Sequence, residues 1–151
     1  MRLTRFRIQD FRAIKDTGWI DCQNITAFAG ENESGKTTIL LALLKLTYVG
    51  KRRLSTTNVY KINEVKRAKI NLAEDIPIDR RTDPAFEARK TTFAYAEFEL
   101  PYEMKLHLQK ILPNYENNDR IIISRKYNGE FEIDILQKYA GGGAYFLVYW
   151  Q

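Results

Sequence analysis

Residues 28–44 read FAGENESGKTTILLALL, and the meaning of this stretch decides the fold. Gly30-Glu31-Asn32-Glu33-Ser34-Gly35-Lys36-Thr37 matches the pattern G-x-x-x-x-G-K-[ST] at every fixed position. Each residue type answers a physical need. Gly30 permits a sharp turn out of a strand, and Gly35 lets backbone approach a phosphate with no side chain in the way. The N–H groups of residues 33 to 38, from Glu33 and Ser34 to Thr38, are expected to point inward as an anion nest at the positive end of a helix. Lys36 is then placed to reach the β- and γ-phosphates, Thr37 to bind Mg²⁺ through its hydroxyl, and Thr38 to touch the α-phosphate. The expected ligands are ATP and Mg²⁺. A glycine-rich helix cap would leave Lys36, Thr37 and Thr38 unexplained.

The flanks support this reading. Before the loop, NITAFAG (residues 24–30) reads as a buried strand ended by Gly30. After it, KTTILLALLKLTYVG is apolar nearly all round, the pattern of a helix covered on most sides, with Gly50 as its C-terminal cap. Upstream, residues 2–8 alternate Leu3, Phe6 and Ile8 with Arg2, Arg5 and Arg7, as in a half-buried strand. DFRAIKDTG reads as turn-rich, and WIDCQ as a short second strand. Downstream, residues 51–90 are the least regular. VYKINEVKRAKINLAEDIP fits a helix or two short strands, and IPIDRRTDPAFEARK reads as an exposed loop.

Order returns at Thr91. TTFAYAEFEL alternates as a strand stopped by Pro101. PYEMKLHLQKIL is an amphipathic helix with Met104, Leu106, Leu108, Ile111 and Leu112 available for packing. DRIIISRKYNGEFEIDIL is a hairpin over residues 120–126 and 130–135, turning at Asn128-Gly129. The terminal run YFLVYW looks like a segment in need of a packing partner.

Hydrolysis requires more than the loop. It needs an acidic residue closing an apolar strand to hold Mg²⁺, and a group to orient water. FEIDI fails because Glu132 interrupts the run and Asp134 lies in an alternating strand. IPIDR fails because Pro77 interrupts it. YAGGGAYF lacks the Leu-Ser of an ABC-type signature loop. The catalytic residues are therefore unknown.

The 151 residues suffice for one domain with a core. No stretch approaches the roughly 20 apolar residues of a membrane helix, and MRLTRFRIQDF is not a secretory signal. Cys22 and His107 are each the sole residue of their type, which argues against zinc and fits a reducing cytoplasm. The net charge of +5 is uneven: residues 1–70 carry 14 Lys/Arg against 6 Asp/Glu, residues 71–151 carry 10 against 13. The basic first half suits phosphate-bearing partners, although scattered charges are more often a solvated surface.

Residues 1–45 resemble the N-terminal lobe of the RecF/structural-maintenance-of-chromosomes branch of ABC-type ATPases, and within it the AAA domain of the overcoming-lysogenization-defect (OLD) nucleases. The resemblance rests on the turn Asp10-Phe11-Arg12, the short strand over residues 19–22, the loop with Asn32 and Ser34 in place, and the Leu/Ala-rich helix. AYAEFELP and RIIISRKYNGEFEI resemble the antiparallel strands that follow the first helix in that group. The resemblance implies an α/β fold: a P-loop NTPase, ABC-ATPase-like N-terminal lobe with an antiparallel β-subdomain. Residues 1–151 would form one unit, with its loop-bearing core in 1–50, an irregular stretch in 51–90, and strands and a helix in 91–137. The resemblance also implies ATP held between two heads, as a homodimer or with a complementary ATPase half, control of DNA binding, and a downstream nuclease domain. It places Asn32 in the loop and Arg12 near the nucleotide. The missing acidic strand and signature loop suggest an incomplete lobe. Two other readings are a non-catalytic module that pairs with a complete head, and a small P-loop kinase, which the antiparallel strands fit poorly.

Overall fold

The computed structural model describes residues 1–31, 35–47, 68–111, 120–135 and 146–149. Its frame is an antiparallel sheet. The strands are β1 (Arg2–Phe11), β2 (Ile14–Asp16), β3 (Ile20–Asp21), β4 (Thr92–Glu99), β5 (Arg120–Lys126), β6 (Phe131–Ile135) and β7 (Phe146–Tyr149). Their order is β2-β1-β4-β5-β6-β7, with β3 also on β1.

β1 is paired along both edges. β4 takes one, with Phe6 opposite Ala96 and Ile8 opposite Ala94. β2 and β3 share the other, at its C-terminal and N-terminal parts. They form a broken return strand. Across the break, the Thr17 N–H donates to the Ile8 carbonyl at 2.9 Å, and the Ile8 N–H donates to the Thr17 hydroxyl at 3.0 Å. The turn-rich reading of DFRAIKDTG thus missed β2, whose few residues are too short to show a period.

Four helices complete the described fold: α1 (Lys36–Thr47), the one-turn α2 (Leu72–Asp75) and α3 (Ile78–Arg81), and α4 (Tyr102–Ile111). α1 lies on the β1–β4 face. Ala94 and Ala96 are fully buried beneath it, beside Phe6, Ile8, Ala42 and Leu46. Alanine at these alternate positions of β4 leaves room for the helix backbone, and larger side chains there would overpack the face by about 1–3 kcal/mol. Further along, Leu108 of α4 packs with Leu100, Ile121, Ile123 and Ile133 in a second apolar cluster.

Several expectations are corrected. NITAFAG is not a buried strand: residues 22–31 form none, and Ile25 is 89% exposed. No neighbouring strand among the described residues pairs with this segment, so its apolar content alone does not make it a strand. α1 is less covered than its composition suggests, because Leu40 and Leu44 stay on the open side. α4 exposes Tyr102, Met104 and Leu106, so Leu108 is its described apolar anchor. The region read as an exposed loop holds α3 and buries Ile76, while α2, with the buried Asp75, lies in the stretch read as a helix or two short strands. The strand over 92–99, the helix after Pro101 and the hairpin at Asn128-Gly129 form as expected. Within the terminal run, residues 146–149 have a partner strand in β6. Gly50, residues 51–67, Leu112 and the side chain of Ile111 lie outside the described residues. No described helix is long and apolar enough to cross a membrane.

The opposite face of the sheet is polar, and one carboxylate organises it. Glu97 of β4 has a side chain only 1% exposed, yet it meets Arg5 at 2.6 Å, Arg120 at 3.0 Å and the Thr4 hydroxyl at 2.9 Å. Burial raises its pKa, but the bonds from Thr4, Arg5 and Arg120 outweigh burial and hold it below the ordinary 4.5. The network ties β1, β4 and β5 together. Glu97→Gln should cost about 1–2 kcal/mol in urea unfolding at neutral pH, because charge-assisted hydrogen bonds become neutral ones. The folded pKa is depressed, so the contribution is complete above pH 4.5 and fades as pH falls through the lower folded value. The gap between wild type and variant should therefore close in acid; a gap independent of pH would contradict this assignment.

Candidate nucleotide-binding site

Of the loop, Gly30, Glu31 and the residues from Gly35 on are described. Gly35 has φ +87°, a region that a side-chain-bearing residue enters at a cost of about 1–2 kcal/mol. Its carbonyl accepts the first helical bond of α1, from the Ile39 N–H at 3.0 Å. The N–H groups of Lys36, Thr37 and Thr38 therefore have no acceptor within the helix. They lie at the positive end of the helix dipole. The first turn of α1 contains no acidic residue to compete with an anion.

Lys36 folds back over the loop. Its ammonium donates to the Gly30 carbonyl at 2.5 Å and to the Glu31 carbonyl. The lysine thus draws the start of the loop toward the start of α1, and its charge stands at that end of the helix. Thr37 is exposed and Thr38 half-buried. A metal would find the Thr37 hydroxyl on the open side. Asn32, Glu33 and Ser34 lie outside the described residues.

Arg12 is placed elsewhere along α1. It has φ +53° and Asp10 has φ +46°, so two non-glycine residues in the left-handed region flank Phe11. The Arg12 N–H donates to the Asp75 carbonyl at 2.7 Å. Its guanidinium meets the Asp75 carboxylate at 3.2 Å and that of Glu74 at 3.4 Å. Asp75 in turn binds Lys45 of α1 at 2.8 Å, and both side chains are almost wholly buried. Lys45 stands nine residues after Lys36, about 13 Å along the helix. The structure therefore brings Gly30, Gly35 and Lys36 together, and joins Arg12 to the opposite end of the same helix.

The Lys45–Asp75 pair went unnoticed in the sequence. Removing one partner of such a pair costs about 3–5 kcal/mol, whereas replacing both by apolar residues is often neutral. The signal was a single lysine inside the apolar run ILLALLKL. Its partner, 30 residues on in LAEDIP, had no local signal. Tyr127 was missed too. Its hydroxyl is shared between the Asp75 carbonyl, at 3.0 Å, and that of Asp10. Burial, with the Asp75 and Asp10 carboxylates nearby, pushes the phenol well above its ordinary pKa.

A family model described as an AAA ATPase domain matches residues 1–140. The chain belongs to that family. Comparisons with curated proteins and with solved structures gave no match. This AAA ATPase domain is thus a nucleotide-binding P-loop ATPase domain, of a family that generally uses ATP and Mg²⁺. The donor set fits both: amides and an ammonium for phosphate oxygens, and a hydroxyl for the metal. When bound, Mg²⁺ would neutralise phosphate charge.

Gly35→Ala tests the loop. A Cβ there meets nothing within 4 Å, so the penalty is conformational rather than steric. Unfolding free energy should fall by only about 1–2 kcal/mol, while Mg-ATP affinity, read by titration calorimetry, drops at least tenfold. Unchanged affinity would mean that the turn does not shape the site.

Proposed function

We propose that this domain is the ATP-binding lobe of a DNA-acting ATPase or endonuclease of the OLD type. Residues 30–37 hold the phosphates, Lys36 the β- and γ-phosphates, and Thr37 the Mg²⁺, with Asn32, Glu33, Ser34 and Thr38 completing the cradle. The observation that carries the nucleotide part is Lys36 folded onto the Gly30 and Glu31 carbonyls at the head of a helix whose first turn has no acidic residue. The OLD assignment is supported by the turn Asp10-Phe11-Arg12 and by the loop spelling with Asn32 and Ser34. The resemblance would put Arg12 near the nucleotide, but its guanidinium is bound to Glu74 and Asp75 at the other end of α1, so its proposed role is indirect. A cytoplasmic location follows from the same assignment.

The test is calorimetric titration of the chain with Mg-ATP, followed by the same titration of Lys36→Ala. Wild type should bind and the variant should lose at least tenfold in affinity. Turnover should be negligible, since the sequence offers no acidic residue closing an apolar strand. An absence of binding at millimolar Mg-ATP would sink the reading. DNA is the proposed macromolecular partner, through the uneven charge of the first half. Its binding should weaken steeply between low and moderate salt, and an affinity indifferent to salt would argue against phosphate contacts.

A second reading is a non-catalytic module that pairs with a complete ATPase head. It is favoured by exposed apolar side chains before the loop and along α1: Ile25, Leu40 and Leu44. A homodimer or a complementary half would cover them. Light scattering decides: a monomer at all concentrations, with or without Mg-ATP, would count against self-pairing.

A further inference from the structure

We propose that Asp75 is a positioning residue for the nucleotide site, coupling the tilt of α1 to the conformation of the Asp10–Arg12 turn. The inference rests on the nucleotide-binding reading above and adds to it a second, remote element.

Asp75 is wholly buried, and its carboxylate serves three elements at once. Lys45 near the end of α1 meets one oxygen at 2.8 Å. The Asn71 N–H, at the start of α2, donates to that same oxygen at 2.7 Å. Arg12, from the turn after β1, meets the other oxygen at 3.2 Å. The Asp75 backbone carbonyl takes the Arg12 N–H and shares the Tyr127 hydroxyl with Asp10. The turn is therefore held from both sides in a conformation that two of its residues would not choose, with φ +46° and +53°. Strain of this kind persists only where the surroundings over-determine it.

α1 is a rigid lever between this junction and the phosphate loop. Its first residue, Lys36, is the phosphate ligand, and its tenth, Lys45, is the Asp75 ligand. The far end is fixed a second time, since Arg125 donates to the Lys45 carbonyl. A helix clamped at its C-terminal turn and packed on alanines has little freedom to tilt. Whatever sets Lys36 onto phosphate must act at Asp75, and whatever moves the Arg12 turn must act on Lys36. Such coupling is reciprocal in binding free energy. The Arg12 guanidinium is the adjustable partner: it is one-third exposed and its contacts are long, whereas Lys45 is buried and close.

The test compares wild type with Lys45→Met/Asp75→Asn by Mg-ATP titration and urea unfolding of the whole chain. Losing both charges together leaves no buried charge unpaired, so the double variant is expected to fold, with a modestly lower unfolding midpoint from the charge-assisted bonds lost at Asn71, Arg12 and Lys69. Positioning predicts a dissociation constant raised tenfold or more in the fully folded variant. A double variant that binds Mg-ATP as wild type does overturns the proposal. If the variant does not fold, the readout passes to wild type: saturating Mg-ATP should shift the amide resonance of Asn71, whose N–H rests on the Asp75 carboxylate, and Lys36→Ala should abolish the shift. A stationary Asn71 signal overturns the proposal equally. Failure of wild type to bind Mg-ATP at all refutes the nucleotide reading itself and is seen on wild type alone.

Discussion

The seat of α1 on β1 and β4 is the constraint from which the rest of the structure follows. A helix that begins at a phosphate loop is useful only if its axis is fixed, because its first free amides have to converge on one point. Here the axis is set by side-chain size. Ala94 and Ala96 make a shallow trough, Phe6 and Ile8 form its wall, and Ala42 and Leu46 fill it from above. Pairing β1 along both edges makes the wall stiff. The sheet supplies a floor, and the nucleotide chemistry is carried at one end of what rests on it.

Two buried carboxylates serve the two faces of that floor in different ways. Glu97 is surrounded by arginines that reach water, so its network binds three strands while keeping its cations solvated. Asp75 faces a lysine with no access to water and an arginine with some. The first arrangement resembles a surface ion-pair network anchored by one buried atom group. The second is a desolvated pair, which contributes little net stability but penalises any rearrangement that separates its members. Geometry is what such a pair can enforce, and a phosphate site depends on geometry.

Legibility in the sequence followed the range of the interactions. The loop, α1, β4, α4 and the Asn128-Gly129 hairpin were readable because each is specified by residues near one another: a motif, a period, a turn dipeptide. β2 and β3 were partly hidden, since short strands carry no period. NITAFAG was misread because apolar content marks burial only when a partner exists to bury it, and Ile25 has none among the described residues. Lys45, Asp75 and Tyr127 were invisible as a group. They come from three distant parts of the chain, and nothing in any one of them names the other two. Glu97 could have been noticed as a carboxylate inside AYAEFEL, but its three partners could not.

The contrast between the two ends of α1 explains why the motif alone understates the site. At the N-terminal end, phosphate recognition uses backbone amides, so the sequence need only avoid side chains, and glycine announces this openly. At the C-terminal end the helix is held by charges drawn from separate segments, and no short pattern encodes them. A regular expression detects the end that touches the ligand. The end that aims it is specified by packing and by one buried carboxylate. Two P-loop domains with identical loops can therefore differ in affinity through residues far from the phosphates. In this domain Lys45 and Asp75 are where such a difference would be built.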